Sequence, residues 1–172
     1  TEVTQVRNLA TFPSGINGLY AGGISGFAHQ VFVLTKCLNA MRGDITGSNV
    51  GGGIVGYMRY ALSTYTYDSL LNSMVGNIVS SNAGGIFGWS YVTDTFSISC
   101  SKLLNYMKGD IVGTGSHPGG GIFGEVTKTG TVGTGDVSIT KSVVAMQGTV
   151  DQSVWGYIPF TPSAMEVTVD TS

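Results

Sequence analysis

Two short phrases alternate along this chain, and their common period constrains the fold more than any other feature. The glycine-rich phrase reads AGGISGF (21–27), GGGIVGY (51–57), AGGIFGWS (83–90) and PGGGIFGE (118–125), with a weaker copy in SVWGY. Its last glycines are 30, 32, 36 and 32 residues apart. The other phrase reads LNAMRGDI (38–45), LNSMVGNI (71–78), LNYMKGDI (104–111) and VVAMQGTV (143–150). Two linked phrases that recur in one order indicate a structural repeat.

Both phrases have the composition of strands and turns. They are short, rich in β-branched or aromatic residues, and bounded by glycine, serine, threonine or asparagine. In the second phrase the methionine, glycine and isoleucine share one face, and the residues between them are mostly polar. Strands recurring about every 33 residues without a helical pattern between them predict an all-β fold. We expect a parallel β-solenoid of four to five coils.

Parallel coils stack about 4.8 Å apart, so equivalent residues form columns along the solenoid. We predict two apolar core columns: Ile24, Ile54, Ile86, Ile122 and Val154, and Met41, Met74, Met107 and Met146. A third column consists of Asn39, Asn72 and Asn105. We predict that their side-chain amides stack in a hydrogen-bonded ladder, with sugar binding as the alternative. The glycines suit sharp bends at the coil corners. Which face of the glycine-rich phrase points inward stays open, and a bend at the glycine would turn both inward.

Composition excludes several classes of function. The chain has 172 residues, a net charge of −2 and only 10% charged residues, so it lacks the basic patch that nucleic-acid binding requires. An apolar content of 42% argues against disorder. No apolar run is long enough to predict a transmembrane helix. No motif for a cofactor is recognised, so none is expected.

The repeat unit GGIVGY…LLNSMVGNIVSSNAGGIFG resembles the GLUG repeat of bacterial surface proteins. That repeat pairs a glycine–glycine–aliphatic–aliphatic–glycine phrase with a later asparagine–glycine–aliphatic phrase, and the likeness covers roughly residues 20–157. This chain departs from it by a methionine before the glycine and by bulky phenylalanines. GLUG-like proteins include adhesins, and similar repeats occur in virion surface proteins of large DNA viruses. The resemblance therefore implies an extracellular, cell-surface or virion-surface location.

The repeat defines the organisation of the chain. Residues 1–20 are interpreted as a lead-in with a partial first coil, and residues 21–157 as the repeat domain. Residues 158–172 fall outside the repeat, and their segment MEVTV alternates like an edge strand. A solenoid end exposes unpaired backbone groups, so we predict that this tail is a cap or an extended arm.

The clearest candidate contact surface is aromatic. Two consecutive links between the phrases contain the aromatic residues Tyr57, Tyr60, Tyr65, Tyr67, Trp89 and Tyr91. If neighbouring coils stack, these links lie side by side and offer a surface with few charges for protein contact or sugar stacking. The alternative is an apolar cluster beneath a long loop.

No catalytic or metal-binding residues are predicted. Asp44 and Asp110 share a column two coils apart, about 10 Å, which is near the carboxylate separation of inverting glycosidases. Neither has an obvious means of raising its pKa, so exposed turn residues are the favoured interpretation. His29 and His117 lack further ligands at metal-binding spacing. Cys37 and Cys100 occupy different columns and are expected to be buried thiols without a disulfide.

These features predict a non-catalytic structural or adhesive module, working as part of a longer chain or an assembly. Its expected partners are other protein subunits or the rest of a longer chain, with surface glycans as a further class. Two alternatives stay open: a carbohydrate-binding or polysaccharide-active domain, and a self-assembling extracellular filament subunit. A carboxylate cluster in a groove would favour the enzyme, and uncapped complementary ends would favour the filament.

Overall fold

A computed structural model describes residues 2–29, 33–59, 64–92, 95–128, 135–152, 154–158 and 163–170. Within these residues the regular structure is all β. The strands are β1 Glu2–Thr4, β2 Arg7–Asn8, β3 Ile16–Gly22, β4 Ser25–His29, β5 Val33–Thr35, β6 Leu38–Asn39, β7 Ile45–Gly52, β8 Val55–Arg59, β9 Thr64–Val75, β10 Ile78–Gly84, β11 Phe87–Val92, β12 Phe96–Lys108, β13 Ile111–Gly113, β14 Phe123–Lys128, β15 Gly135–Met146, β16 Trp155–Tyr157 and β17 Ala164–Asp170.

The strands form three parallel sheets that wind as a β-solenoid of about four turns. Sheet 1 has the order β1-β5-β9-β12-β15-β17. Two short strands also belong to it: β2 pairs with β6, and β6 pairs with β9. Sheet 2 has the order β3-β7-β10-β13, and sheet 3 has the order β4-β8-β11-β14-β16. Each coil passes through sheets 1, 2 and 3 in turn, for example along β9, β10 and β11. The predicted fold class and the period near 33 residues are confirmed.

The isoleucine column lies at the corner between sheets 2 and 3. The N–H of Ile24 donates to the carbonyl of Ile54 at 2.9 Å, and the same bond recurs from Ile54 to Ile86 at 3.0 Å. It continues from Ile86 to Ile122 and from Ile122 to Val154. The three central isoleucines are fully buried, whereas Ile24 on the first coil is only partly covered. This column therefore holds successive coils together through both its backbone and its side chains.

The methionine column lies in the core at the end of sheet 1. Met74, Met107 and Met146 are direct partners on adjacent strands, and Met41 lies on the coil before them. All four side chains are buried. Unbranched methionine side chains adapt to the irregular space at a corner where the chain leaves one sheet for the next.

The glycine-rich phrase turns two consecutive side chains inward. Ile86 and Phe87 are both fully buried, which a straight strand with alternating faces does not allow. The chain bends at Gly85 and Ile86, between β10 and β11, and this bend makes the arrangement possible; Gly88 follows it inside β11. A Cβ on Gly88 would lie 2.4 Å from Cγ1 of Val50 and 2.7 Å from the carbonyl oxygen of Gly51. The glycine therefore provides room at the corner where backbone and core approach closely.

The asparagine column forms an amide ladder inside the solenoid. Nδ2 of Asn39 donates to Oδ1 of Asn72 at 2.9 Å, and Nδ2 of Asn72 donates to Oδ1 of Asn105 at 2.8 Å. Asn8 extends the ladder by one coil through a bond to Oδ1 of Asn39. The last amide, that of Asn105, reaches the Met146 sulfur at 3.5 Å. Because Asn39, Asn72 and Asn105 are fully buried, they cannot bind an external sugar.

The two phrases are coupled where the amides meet the glycines. Nδ2 of Asn39 also donates to the carbonyl oxygen of Gly53 at 2.7 Å. A Cβ on Gly85 would lie 2.2 Å from Nδ2 of Asn105, which leaves no room for any larger residue. The recurrence of glycine and asparagine at one period therefore has a steric cause.

A column of left-handed residues bends the strands of sheet 1. The φ angles lie between 50° and 58° at five non-glycine positions: Gln5, Lys36, Ser69, Lys102 and Lys141. This conformation is unfavourable for residues with a Cβ. Its repetition on every coil shows that stacking of the coils imposes it.

The tail adds a final strand to sheet 1. β17 pairs in parallel with β15, and its register shifts between Ile139 and Ser142. Sheets 2 and 3 have no counterpart to this strand among the described residues, so sheet 1 projects beyond them at this end. Most of β17 is exposed, since no further strand in the described part of the chain covers its outer edge.

Candidate functional site

An aromatic column runs along the outer face of sheet 3. Its members are in register on successive strands: Phe27, Tyr57, Trp89, Glu125 and Tyr157. The residue at this position is aromatic on four of the five coils, and on the remaining one it is Glu125. Below, "aromatic face" denotes the five side chains Phe27, Tyr57, Trp89, Tyr91 and Tyr157.

A break in the inward–outward alternation at Gly88 explains why these side chains face outward. After Gly88 the strand resumes its alternation, so Ser90 and Val92 are buried while Trp89 and Tyr91 are half-exposed. The equivalent residue on the preceding coil, Tyr57, points the same way.

The rings of this column pack on one another in the direction in which the coils stack. The Tyr57 ring lies 4.9 Å from the Tyr20 ring, nearly parallel to it, and 4.9 Å from the Trp89 ring. Phe27 lies 5.3 Å from Tyr57 on the first coil. These separations match the strand spacing, so the Tyr57 ring is covered on both faces by its neighbours. Tyr57 is accordingly only 8% exposed. The expected open stacking face at Tyr57 is therefore wrong.

Trp89 and Tyr91 form the half-exposed middle of the aromatic face, whereas Phe27 and Tyr157 towards its ends are more exposed. The indole Nε1 of Trp89 donates to Oγ1 of Thr127 at 2.7 Å, which fixes the ring. Tyr91 packs against Trp89 edge to face, with centroids 5.7 Å apart and an interplanar angle of 73°. Rigid aromatic side chains with a polar tip are favourable contact residues because little side-chain entropy is lost on binding.

Glu125 replaces an aromatic residue at the fourth position of the column. Its side chain is buried, and Oε2 lies 3.5 Å from Nδ1 of His117. Burial raises the pKa of Glu125, and the neighbouring His117 imidazole opposes that shift. The His117 ring stacks on Tyr157 at 4.2 Å with an angle of 13°. The column therefore continues through an acid–imidazole pair to the last ring.

The loop that carries His117 is held by Asp151. Oδ2 of this carboxylate accepts the N–H of Gly113 at 2.9 Å and the N–H of Gly119 at 2.8 Å. No pattern in the sequence predicts a role for Glu125, His117 or Asp151. The signal was the glycine spacing of 36 residues, longer than the neighbouring spacings of 32, because the extra residues form this loop.

The predicted contact surface is also wrong at two further residues, which lie in the core. Tyr65 and Tyr67 lie on β9 with no exposed surface, and Tyr67 packs 5.1 Å from Phe87 in the core. The sequence predicts a link between two phrases here, whereas the segment belongs to β9, whose alternate residues point inward. Tyr60 lies outside the described residues.

The aspartate column holds the backbone of adjacent coils. Oδ1 of Asp44 accepts the N–H of Asn77 at 2.7 Å, and Oδ1 of Asp110 accepts the N–H of Thr149 at 2.7 Å. The backbone N–H and the hydroxyl of Thr149 lower the pKa of Asp110. A carboxylate that is stabilised in its charged form is a poor proton donor, so this column fits the favoured interpretation as turn residues.

Comparison with protein-family models, with curated proteins and with solved structures finds no match. Across the described ranges no surface pocket opens, and no three histidine, cysteine or acidic side chains cluster at metal-binding distance. That part of the chain also has no helix of the length and apolar character needed to cross a membrane.

Proposed function

We propose that this chain is a non-catalytic structural and adhesive β-solenoid module of a cell or virion surface. The observation that carries the proposal is the aromatic face, which combines rigid rings with few charges on the outside of a regular scaffold. Tyrosine and tryptophan are enriched in protein interfaces because they offer large contact areas with polar tips.

The polar columns support a structural role. The buried asparagines bond to one another, and Asp44 and Asp110 bond to the backbone of the next coil. Side chains that could act on a ligand are thus engaged in joining coils. The resemblance of the repeat to the GLUG repeat supports display at a surface, since proteins with that repeat are mostly secreted or attached to cells.

Surface display is tested by labelling intact and permeabilised cells or particles of the source with an antibody raised against the folded domain. We expect labelling of intact material at the same level as permeabilised material. Labelling that requires permeabilisation would overturn the proposed location. An antibody against an internal protein of the same material is the control for damage, because it should label only the permeabilised preparation.

Carbohydrate binding is the second candidate, because the edge-to-face pair of Trp89 and Tyr91 lies beside hydrogen-bonding groups of Thr127 and Glu125. A glycan array distinguishes it from protein contact. If sugars bind there, Trp89→Ala should abolish binding, whereas Asp44→Asn should leave it unchanged and no product should be released. Product release lost in Asp44→Asn or Asp110→Asn would instead show a polysaccharide-active enzyme.

A further inference from the structure

Exposed large apolar side chains concentrate at the two ends of the solenoid. Among the described residues, seven such side chains are more than a third exposed. Three of them lie on the first coil: Leu9, Leu19 and Phe27. Three lie on the last two strands, β16 and β17: Tyr157, Met165 and Val169. Val75 is the one that lies between the ends. Apolar surface that gathers at both ends of a rod marks those ends as contact sites.

The core itself is open at the first coil. Ile16 and Ile24 are only partly buried, whereas their counterparts on the following coils, Ile45 and Ile54, are fully buried. A further layer of strands on the first coil would complete their burial. The outer edges of β1, β2 and β17 also present unpaired backbone groups in the described part of the chain, and such edges pair readily with another strand.

Two columns of sheet 1 reach both ends of the solenoid, across a one-residue register shift: Met165 and Val169 are four residues apart on β17, whereas their partners Ile139 and Val144 on β15 are five apart. Val3 shares a column with Met165, through Leu34, Tyr67, Cys100 and Ile139. Asn8 shares a column with Val169 in the same way. A second copy placed beyond β17 therefore brings the inward side of its first strands over Met165 and Val169, the two exposed apolar residues of β17.

Strand direction and charge select a head-to-tail arrangement. The strand pairs of all three sheets are parallel, so only a first coil stacked on a last strand continues that pattern. Residues 147–170 carry three carboxylates and no lysine or arginine, so two such ends repel each other. Arg7 shares a column with Thr168, so in a head-to-tail stack Arg7 of one copy lies over Thr168 of the other. Two acidic residues, Glu166 and Asp170, lie on either side of Thr168 on the same face of its strand.

We propose that this chain self-associates head to tail, with β17 of one copy pairing in sheet 1 with β1 and β2 of the next. Because sheet 1 projects beyond sheets 2 and 3, the strand-to-strand contact forms there. A second copy of this chain is thus the protein partner, and this association does not depend on display at a surface. A heterologous contact of this kind extends into a filament rather than closing into a dimer.

The test measures the mass of the purified chain against concentration by sedimentation, with negative-stain electron microscopy of the same samples. We expect masses rising through multiples of the monomer, and thin rods. Val169→Lys should raise the dissociation constant at least ~100-fold, because it places an ammonium group within the contact. Val75→Lys is the matched control, since Val75 is 41% exposed and Val169 is 40% exposed. It should assemble like the unaltered chain.

Mixing two blocked variants separates this contact from other arrangements and from misfolding. Leu9→Glu blocks the head by facing the acidic tail, and Val169→Lys blocks the tail. Each should be monomeric alone, with far-UV circular dichroism like that of the parent. An equimolar mixture should give a dimer through the one intact head and the one intact tail. A parent chain that is monomeric at every concentration, or a mixture that stays monomeric, overturns the proposal. Neither result bears on the antibody test of surface display.

Discussion

Replacing Asn72 with valine removes the centre of the buried amide ladder and tests how much that ladder stabilises the fold. The substitution leaves Nδ2 of Asn39 without its side-chain acceptor and Oδ1 of Asn105 without its donor. Valine is a suitable replacement because Val144 already occupies this column on the next coil, as the direct partner of Asn105. Loss of polar bonding rather than poor fit should then dominate the result.

The expected magnitude follows from the number of groups left unsatisfied. A buried N–H or carbonyl oxygen without a partner costs about 1–3 kcal/mol. One N–H of Asn39 and Oδ1 of Asn105 lose their partners in Asn72→Val, while the other N–H of Asn39 keeps its bond to Gly53, so the predicted loss is about 2–6 kcal/mol. Asn105→Val leaves only the amide of Asn72 without its ladder acceptor, because the bond it gives up goes to a thioether, a weak acceptor. The predicted loss there is about 1–3 kcal/mol. Position within the ladder, rather than residue type, sets the difference.

Urea unfolding followed by far-UV circular dichroism measures both losses, with equal slopes as the condition for comparing midpoints. At about 2–4 °C per kcal/mol for a chain of this size, thermal unfolding should show the same ranking. Ser73→Val is the control, since Ser73 lies beside the ladder on the same strand but is not fully buried. It should change stability by less than about 0.5 kcal/mol. A loss at Asn72 no larger than at Asn105 would refute the assignment of stability to the amide bonds.

Four further outcomes are expected. Gly85→Ala should lower the free energy of unfolding by more than about 3 kcal/mol or prevent folding, because its Cβ would lie 2.1 Å from a backbone oxygen. Gly18→Ala is the control: its Cβ would have its nearest contact at 3.5 Å, so the loss in the same urea titration should be about 1 kcal/mol or less. Lys141→Gly should raise the melting temperature, since relief of a left-handed residue at φ 50° is worth about 1 kcal/mol. Because the pKa of Asp110 is lowered in the folded state, its charged form stabilises the fold. This contribution is fully present above the unfolded pKa of about 3.9 and is lost as the pH falls through the folded pKa. Asp110→Asn should therefore make the free energy of unfolding less dependent on pH in that acid range. Burial raises the pKa of Cys100, so its thiol should react with a disulfide reagent only after the protein unfolds. A folded protein whose Cys100 reacts as fast as an exposed thiol would contradict this.

The repeat is visible in the sequence because stacking requires like residues at like positions. The isoleucine, methionine and asparagine columns could be predicted since each member meets the same neighbours one strand spacing away. The fold class followed from the same regularity. The alternation of inward and outward residues within TYTY was also present in the sequence, but tyrosine is compatible with either side of a strand. Its hydroxyl allows exposure and its ring allows burial, so composition alone misplaced Tyr65 and Tyr67.

The tertiary structure alone decided what each corner does with its side chains. The bend at Gly85 and Ile86 turns Ile86 and Phe87 inward together. The alternation then breaks at Gly88, so Trp89 lies outward although strict alternation would place it on the same side as Phe87. The meeting of Glu125 and His117 depends on a loop that Asp151 fixes from the next coil, 32 residues away from Gly119. A one-dimensional pattern records which residues share a column. It does not record the direction of a backbone bend or the path of an inserted loop, because both are fixed by contacts between coils.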